Sequence, residues 1–233
     1  MKVARGSNHV PNTTALGRLT PISNKATASN IAEQVRELVA DGSFEPGAQI
    51  TEVALANALR VSRGPVREAL QRLVQEGLLE NERNRGIFVP RLTIEDIQDI
   101  YRTRSAIELC AMEIIMGTDN EDYLDRADEK LGLLETAMTS GEYKLVSQLD
   151  LEFHMDLIRE TRSKRLMRAF DTLIVETRMC LRSLEYTYEH QGDVVQVHRR
   201  MLAAVRDSDI HEAKEAINEH NATVMRDLPV SKA

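Results

Sequence analysis

RVSRGPVREALQRL, residues 60–73, is the stretch whose reading decides the fold. From Val66 onward it has the apolar spacing of a helix, with Val66, Leu70 and Leu73 on one stripe and Ala69 beside it. Its first turn, however, holds Gly64, Pro65, Arg63 and, just beyond, Arg67. Pro65 is tolerated there, because the first N–H groups of a helix have no intrahelical partner to lose. Two arginines are harder to explain, since the partial positive charge of a helix N-terminus disfavours cations. The neighbouring sequence supplies a reason. Upstream, Ile31, Val35, Leu38 and Val39 mark a helix that starts at Ala28 and ends at Gly42, and "FEPGAQIT" reads as a turn. Thr51 then caps a short helix over 52–59, Arg60 and Val61 make a tight connection, and Ser62 caps the helix of the opening stretch. That helix stops near Gly77, and "LLENE" and "IFVP" read as two short strands around the turn "RNRG".

Three helices followed by a hairpin describe a winged helix-turn-helix. In such a module the second helix of the turn motif enters the major groove N-terminus first, where cations meet phosphates or guanine edges. Arg63 and Arg67 lead that helix, Ser62 can bond a phosphate, Gly64 allows close backbone approach, and Arg72 lies further along. At the wing tip, Arg83, Asn84 and Arg85 before Gly86 can reach the adjacent minor groove or backbone. A solvated basic face on an ordinary three-helix subdomain explains the spacing equally well.

Charge separates the chain into two parts. The 233 residues carry a net −7, yet through Leu92 there are 12 Lys+Arg against 9 Asp+Glu, and beyond it 18 against 28. A basic front on an acidic body points to a polyanion partner for the front alone. Residues 1–25 are rich in Asn, Thr, Ser, Gly and Pro, contain four basic residues and no acid, and read as a flexible basic arm. A winged-helix domain is expected over 26–91 and an all-helical domain over 92–233, so the fold class is mainly α. No apolar run reaches the ~18 residues of a membrane span and no signal-peptide core is present, so a cytoplasmic location is expected. Cys110 and Cys180 form no CxxC motif and sit among Ile, Leu and Met, as buried free thiols do.

In the second part, Thr93 with Asp96 opens a helix, and further helices follow over about 121–140, 142–160, 163–188, 193–207 and 209–228. Gly117, Gly141 and Gly192 mark three of the boundaries. In "DLEFH", Asp150 and His154 are four apart and share a helix face with Val146, Leu157 and Ile158. A carboxylate and an imidazole facing a core need partners. They could bond each other, or bind a metal together with His198 and His220, which lie on the apolar stripes of the last two helices. Three histidines and one aspartate suit zinc, with nickel or manganese as alternatives. Asp207 and His211 repeat the spacing but straddle a helix break; with His9 and His190, His211 reads as solvated. Arg104 lies on the stripe between Ile100 and Ile107, with Glu108 at i+4, and is either a buried salt bridge or a carboxylate anchor. Arg178, near the stripe of Ile174 and Leu181, is either a second anchor or solvent-facing.

Residues 28–90 resemble the reading head of the GntR superfamily of bacterial transcription regulators, through "ITEVALANALRVSRGPVREALQRLVQEGLLENERNRGIFV". The resemblance implies DNA contacts from Arg63 and Arg67, a loop through Ser62 and Gly64 lying against the backbone, and a wing shaped by Gly86. One departure is Val53, where some members carry an arginine that also touches DNA. Residues 94–226 look like the FCD domain of the FadR branch, whose metal-binding members place an Asp, a His four later, and one His on each of the last two helices. Those positions match Asp150, His154, His198 and His220. "ETRSK" departs from the family, where a small residue followed by Gly-Asn or Ser-Asn is usual.

These readings imply a homodimeric regulator on a palindromic double-stranded operator, controlled by a small organic acid bound beside a divalent metal. Effector binding would shift the helical bundle and, through the hinge at 90–93, the spacing of two heads. The competing readings are a metal-free FCD cavity and a metal hydrolase with an accessory nucleic-acid-binding domain. Hydrolysis needs an open metal position and a placed base. The chain has no HExxH, nucleophile elbow or phosphate loop, and Glu152 falls off the Asp150 to His154 face.

Overall fold

The computed structural model describes residues 17–20, 28–183 and 194–226, which form two compact units divided between Leu92 and Thr93. The first unit contains α1 (Ala28–Ala40), β1 (Gln49–Ile50), α2 (Glu52–Leu59), α3 (Arg63–Gln75), β2 (Glu80–Glu82) and β3 (Gly86–Phe88). Its core contains the stripes read from the sequence, Ile31 and Val35 of α1 and Val66, Ala69, Leu70 and Leu73 of α3, joined by Leu55 and Leu59 of α2; all are essentially fully buried. Thr51 caps α2 through its side chain, which accepts from the Ala54 N–H at 3.2 Å. Arg60 takes the left-handed conformation at the end of α2 (φ 56°), which makes the sharp connection into α3.

Three local expectations change. Ser62 occupies the N-cap position of α3, but its side chain makes no capping hydrogen bond, so its hydroxyl is not committed to the helix. The stretch read as a plain turn includes β1, which pairs antiparallel with β3 through Gln49↔Phe88 and Ile50↔Ile87 and gives a three-stranded sheet in the order β1-β3-β2. Two residues are too few to show an alternating pattern. Leu78 and Leu79 belong to no strand; their N–H groups close the end of α3 on the Leu73 carbonyl, and both side chains are buried. Asn84 (φ 62°) and Gly86 (φ 110°) turn the wing, and Gly86 sits where L side chains are strained.

The described residues of the second unit form helices joined by turns: α4 (Ile94–Met116), α5 (Glu121–Thr139), α6 (Tyr143–Glu160), α7 (Lys164–Ser183), α8 (Val194–Arg206) and α9 (Ile210–Arg226). Thr93 and Asp96 form a reciprocal capping box at the start of α4. This long helix packs against α6, α7, α8 and α9, so its inward face looks into the middle of the bundle. That is how Glu108 comes to lie beside His154 of α6 and Arg104 near Phe170 of α7. Cys180 is buried as expected, but Cys110 is exposed, because its position falls off the inward stripe of α4; both thiols are free. His211 is exposed at the start of α9, while His9, His190 and Gly192 lie outside the described residues. Among the described residues no helix is long and apolar enough to cross a membrane.

Candidate functional site

In the first unit, Ser62, Arg63, Gly64, Arg67 and Arg72 are all exposed along one side of α3, and Arg85 and Gly86 are exposed at the wing. A Cβ placed on Gly64 would meet nothing within 4 Å, so its surface is open to close approach. Arg63 and Arg67 are not free cations, however. Arg67 grips Glu52 with two bonds, Nε to Oε1 at 2.8 Å and Nη2 to Oε2 at 3.0 Å, and Arg63 Nη2 reaches Oε2 at 3.0 Å. The two guanidiniums, Arg67 first, hold the Glu52 carboxyl well below its ordinary range, at about 2. Sequence reading assigned Glu52 no role; the only available signal was an acid in the first turn of α2, which ordinary helix capping also explains. Arg72 pairs with Glu76 at 2.8 Å. Arg85 pairs with Glu82 and lies 5.1 Å over the Phe88 ring, and its carbonyl accepts from Gln49 at 2.6 Å, so β1 supports the wing. Val53 is half exposed beside Glu52.

In the second unit, Asp150 and His154 of α6, His198 of α8 and His220 of α9 converge, all buried, with one donor atom from each within 4.8 Å of the others. His154 Nε2 and His198 Nε2 are 3.2 Å apart, and Asp150 Oδ1 lies 3.2 Å from His198 Nε2 and 3.9 Å from His154 Nε2. The remaining ring nitrogens explain these orientations. His198 Nδ1 lies 2.7 Å from the Val194 carbonyl, which can only accept, so the proton sits on Nδ1 and Nε2 presents a lone pair. Glu108 Oε2 lies 3.0 Å from His154 Nδ1; it is off the axis of a good hydrogen bond, but its charge still favours a proton there. Phe153 packs edge-on against both rings.

These atoms fit a cation. The Nε2 lone pairs of His154 and His198 face one another beside a carboxylate, and His220 Nε2 is buried with no partner at all. A shared proton would satisfy one facing pair and leave His220 orphaned, whereas a metal ion would satisfy all four donors. Burial, reinforced by the neighbouring imidazoles, pushes His220 well below its usual range. Burial also lowers His154, against the pull of Glu108. Neutral imidazole is the form that ligates a metal. Burial would raise the Asp150 carboxyl, but the histidines around it, His198 first, outweigh burial and hold it low, so Asp150 would be the anionic member of the set.

Arg104 is buried with Glu108, Nε to Oε1 at 3.0 Å. Its other two nitrogens, Nη1 and Nη2, have no partner, and neither has the buried Tyr101 hydroxyl; the guanidinium lies 5.0 Å over the Tyr101 ring. The salt bridge and the anchor are therefore compatible, since Glu108 takes one edge of the fork and leaves two donors over. Burial would raise the Glu108 carboxyl, but His154 and Arg104 outweigh it and hold it at about 2. Glu108 thus links Arg104 to His154, a contact invisible in the sequence because it joins α4 to α6. Arg178 is half-buried on α7 and already has an interaction of its own.

Two family models match the chain: "Bacterial regulatory proteins, gntR family" over residues 27–89, and "FCD domain" over residues 99–223. The Nta operon transcriptional regulator of Aminobacter aminovorans is 31% identical over 173 residues, 71% of this chain and 78% of its own. A probable D-xylose utilization operon transcriptional repressor of Paenarthrobacter nicotinovorans is 27% identical over 87% of this chain and 91% of its own. Among solved structures, a putative transcriptional regulator GntR from Rhodococcus sp. RHA1 superposes with a TM-score of 0.69 at 26% identity, covering 87% of this chain and 99% of that one.

Proposed function

Because the chain belongs to the gntR family of bacterial regulatory proteins and carries an FCD domain, it is a DNA-binding transcriptional regulator and not an enzyme, and we propose that a small organic acid bound beside a divalent metal in the second unit sets its operator affinity. The observation that carries this reading is the buried set of Asp150, His154, His198 and His220, which leaves His220 Nε2 without a partner, together with the two unpartnered nitrogens of Arg104. Those four residues would hold the ion, zinc first by donor chemistry and nickel or manganese next. Bound there, the ion would supply Lewis acidity toward a carboxylate. Arg104 would take the carboxylate through Nη1 and Nη2, with Arg178 as the second candidate anchor. Glu108 would keep His154 oriented, as the outer partners of metal-bound histidines do.

In the first unit, Arg63 and Arg67 would meet base edges or phosphates, with Ser62, Gly64 and Arg72 against the backbone and Arg85 and Gly86 at the wing. A homodimer on a palindromic duplex follows from the few contacts one such head can offer.

Metal analysis tests the site. After chelation and reloading with zinc, nickel or manganese, wild type is expected to retain about one ion per chain and His154→Ala/His198→Ala none. Equal loading of the two, or none by wild type, overturns the assignment. Thermal shift of the loaded protein with acetate, lactate and citrate tests the effector class; no shift with any of them removes it. Binding to a duplex selected in vitro from a random pool tests the head: Arg63→Ala or Arg67→Ala should weaken it roughly tenfold or more, and indifference to both overturns the head.

A further inference from the structure

Two guanidiniums that face a duplex would be expected to wait there unpaired. Here they share one carboxylate, at the tip that leads α3. An exposed ion pair contributes little to stability, at most about 1 kcal/mol. The arrangement therefore calls for an explanation other than folding.

The detail lies in which nitrogens are used. Glu52 engages the Nε and Nη2 side of Arg67 and only Nη2 of Arg63. A guanidinium reads guanine end-on, through its two terminal nitrogens, onto O6 and N7. With its inner edge held by Glu52, Arg67 still has the Nη1 and Nη2 end for a base, and the orientation of that end is settled before DNA arrives. Both side chains are more than half exposed, 59% for Arg63 and 56% for Arg67, whereas Glu52 is only 23% exposed, beneath them. Thr51 fixes the start of α2, so the carboxylate comes from a capped helix and not from a mobile loop.

The geometry points to Glu52 as a specificity-determining positioning residue, which holds Arg63 and Arg67 in the pose that reads bases and, by its own negative charge, weakens their attraction to phosphates of any sequence. This rests on the reading that α3 meets DNA through those two arginines. The consequence is a larger ratio of specific to non-specific affinity. Two arginines and one carboxylate leave a single net positive charge at the tip, and each phosphate neutralised adds about 0.9 to the salt slope of binding.

The test compares full-length wild type, Glu52→Gln and Glu52→Ala on two duplexes, the one selected in vitro by wild type and a shuffled duplex of the same composition, by anisotropy over a salt series. Glu52→Gln is expected to bind the shuffled duplex more tightly, with a salt slope steeper by about one, and to lose at least tenfold in the ratio of the two affinities. Glu52→Ala should do the same. A ratio within twofold of wild type in both variants, or an equal loss on both duplexes, overturns the inference. Arg63→Ala and Arg67→Ala in parallel separate the two failures. If they leave the selected duplex bound as in wild type, the head reading itself is wrong; if they weaken it while the Glu52 variants keep the ratio, only the role of Glu52 is wrong.

Discussion

Replacing Arg104 by Met and Glu108 by Leu, singly and together, separates the buried ion pair of Arg104 from its proposed role as a carboxylate anchor. Both side chains are almost inaccessible, at 1% and 2% exposure, and 3.0 Å apart. Removing one partner of such a pair strands the other charge in the core and costs about 3 to 5 kcal/mol. The second unit spans 141 residues, from Thr93 to Ala233. At about 2.1 cal/mol/K per residue its unfolding entropy is about 0.3 kcal/mol/K, so either single change should lower its melting transition by roughly 10 to 17 °C. The double change replaces the pair by apolar groups of similar volume, and such replacements are often neutral, so it should return to within about 1 kcal/mol of wild type. Calorimetry of the chelated proteins reads this directly, without the weaker metal binding expected when Glu108 no longer faces His154. If the double variant falls by the sum of the singles, the two groups do not act as a pair and the electrostatic argument fails. The restored double variant then tests the anchor: reloaded with zinc, it should lose the stabilisation that carboxylates give to wild type. Full retention of that shift would show that Arg104 holds no ligand.

Three further outcomes follow from other parts of the chain. Burial, then Asp96 and Asp99, raises the Glu176 carboxyl to about 7; since that is above its unfolded value, it weakens the fold as pH rises from about 4.5 through 7 and not below. Glu176→Gln should therefore raise the melting temperature at pH 8 but not at pH 4, by about 1 kcal/mol once solvent screening is allowed for, and an equal gain at both would refute this. Gly47 has φ +82° and lies against the Arg91 guanidinium; Gly47→Ala should destabilise the first unit by about 1 to 2 kcal/mol in urea titration while zinc loading is unchanged. Zinc at about 1,000 times its Kd should stabilise the wild-type second unit by about 4 kcal/mol, and a His220→Ala protein should gain much less; an equal gain would place the ion elsewhere.

Much of this protein follows from local pattern. The stripe Val66, Leu70 and Leu73, the cap at Thr51 and the Thr93 and Asp96 box each depend on residues within one or two turns, so their spacing in the chain is their spacing in space. The inward phase of Asp150, His154, His198 and His220 was legible for the same reason. β1 was not, because two residues carry no period and gain their identity only from β3. Nor was the exposure of Cys110, which depends on how far the packed face of α4 extends.

What only the tertiary structure decided is which polar atoms meet. His154 and His198 are 44 residues apart, and Glu52 meets Arg67 across 15. The sequence by itself determined the helices, their buried faces and the arginines at the tip of α3. The packing of α4 against α6 placed Glu108 on His154, and two nitrogens of Arg104 are left over. The physical reason is that periodicity fixes the direction of a side chain about its own helix axis, whereas a hydrogen bond between helices depends on their separation and relative rotation, and no repeat within either helix encodes those.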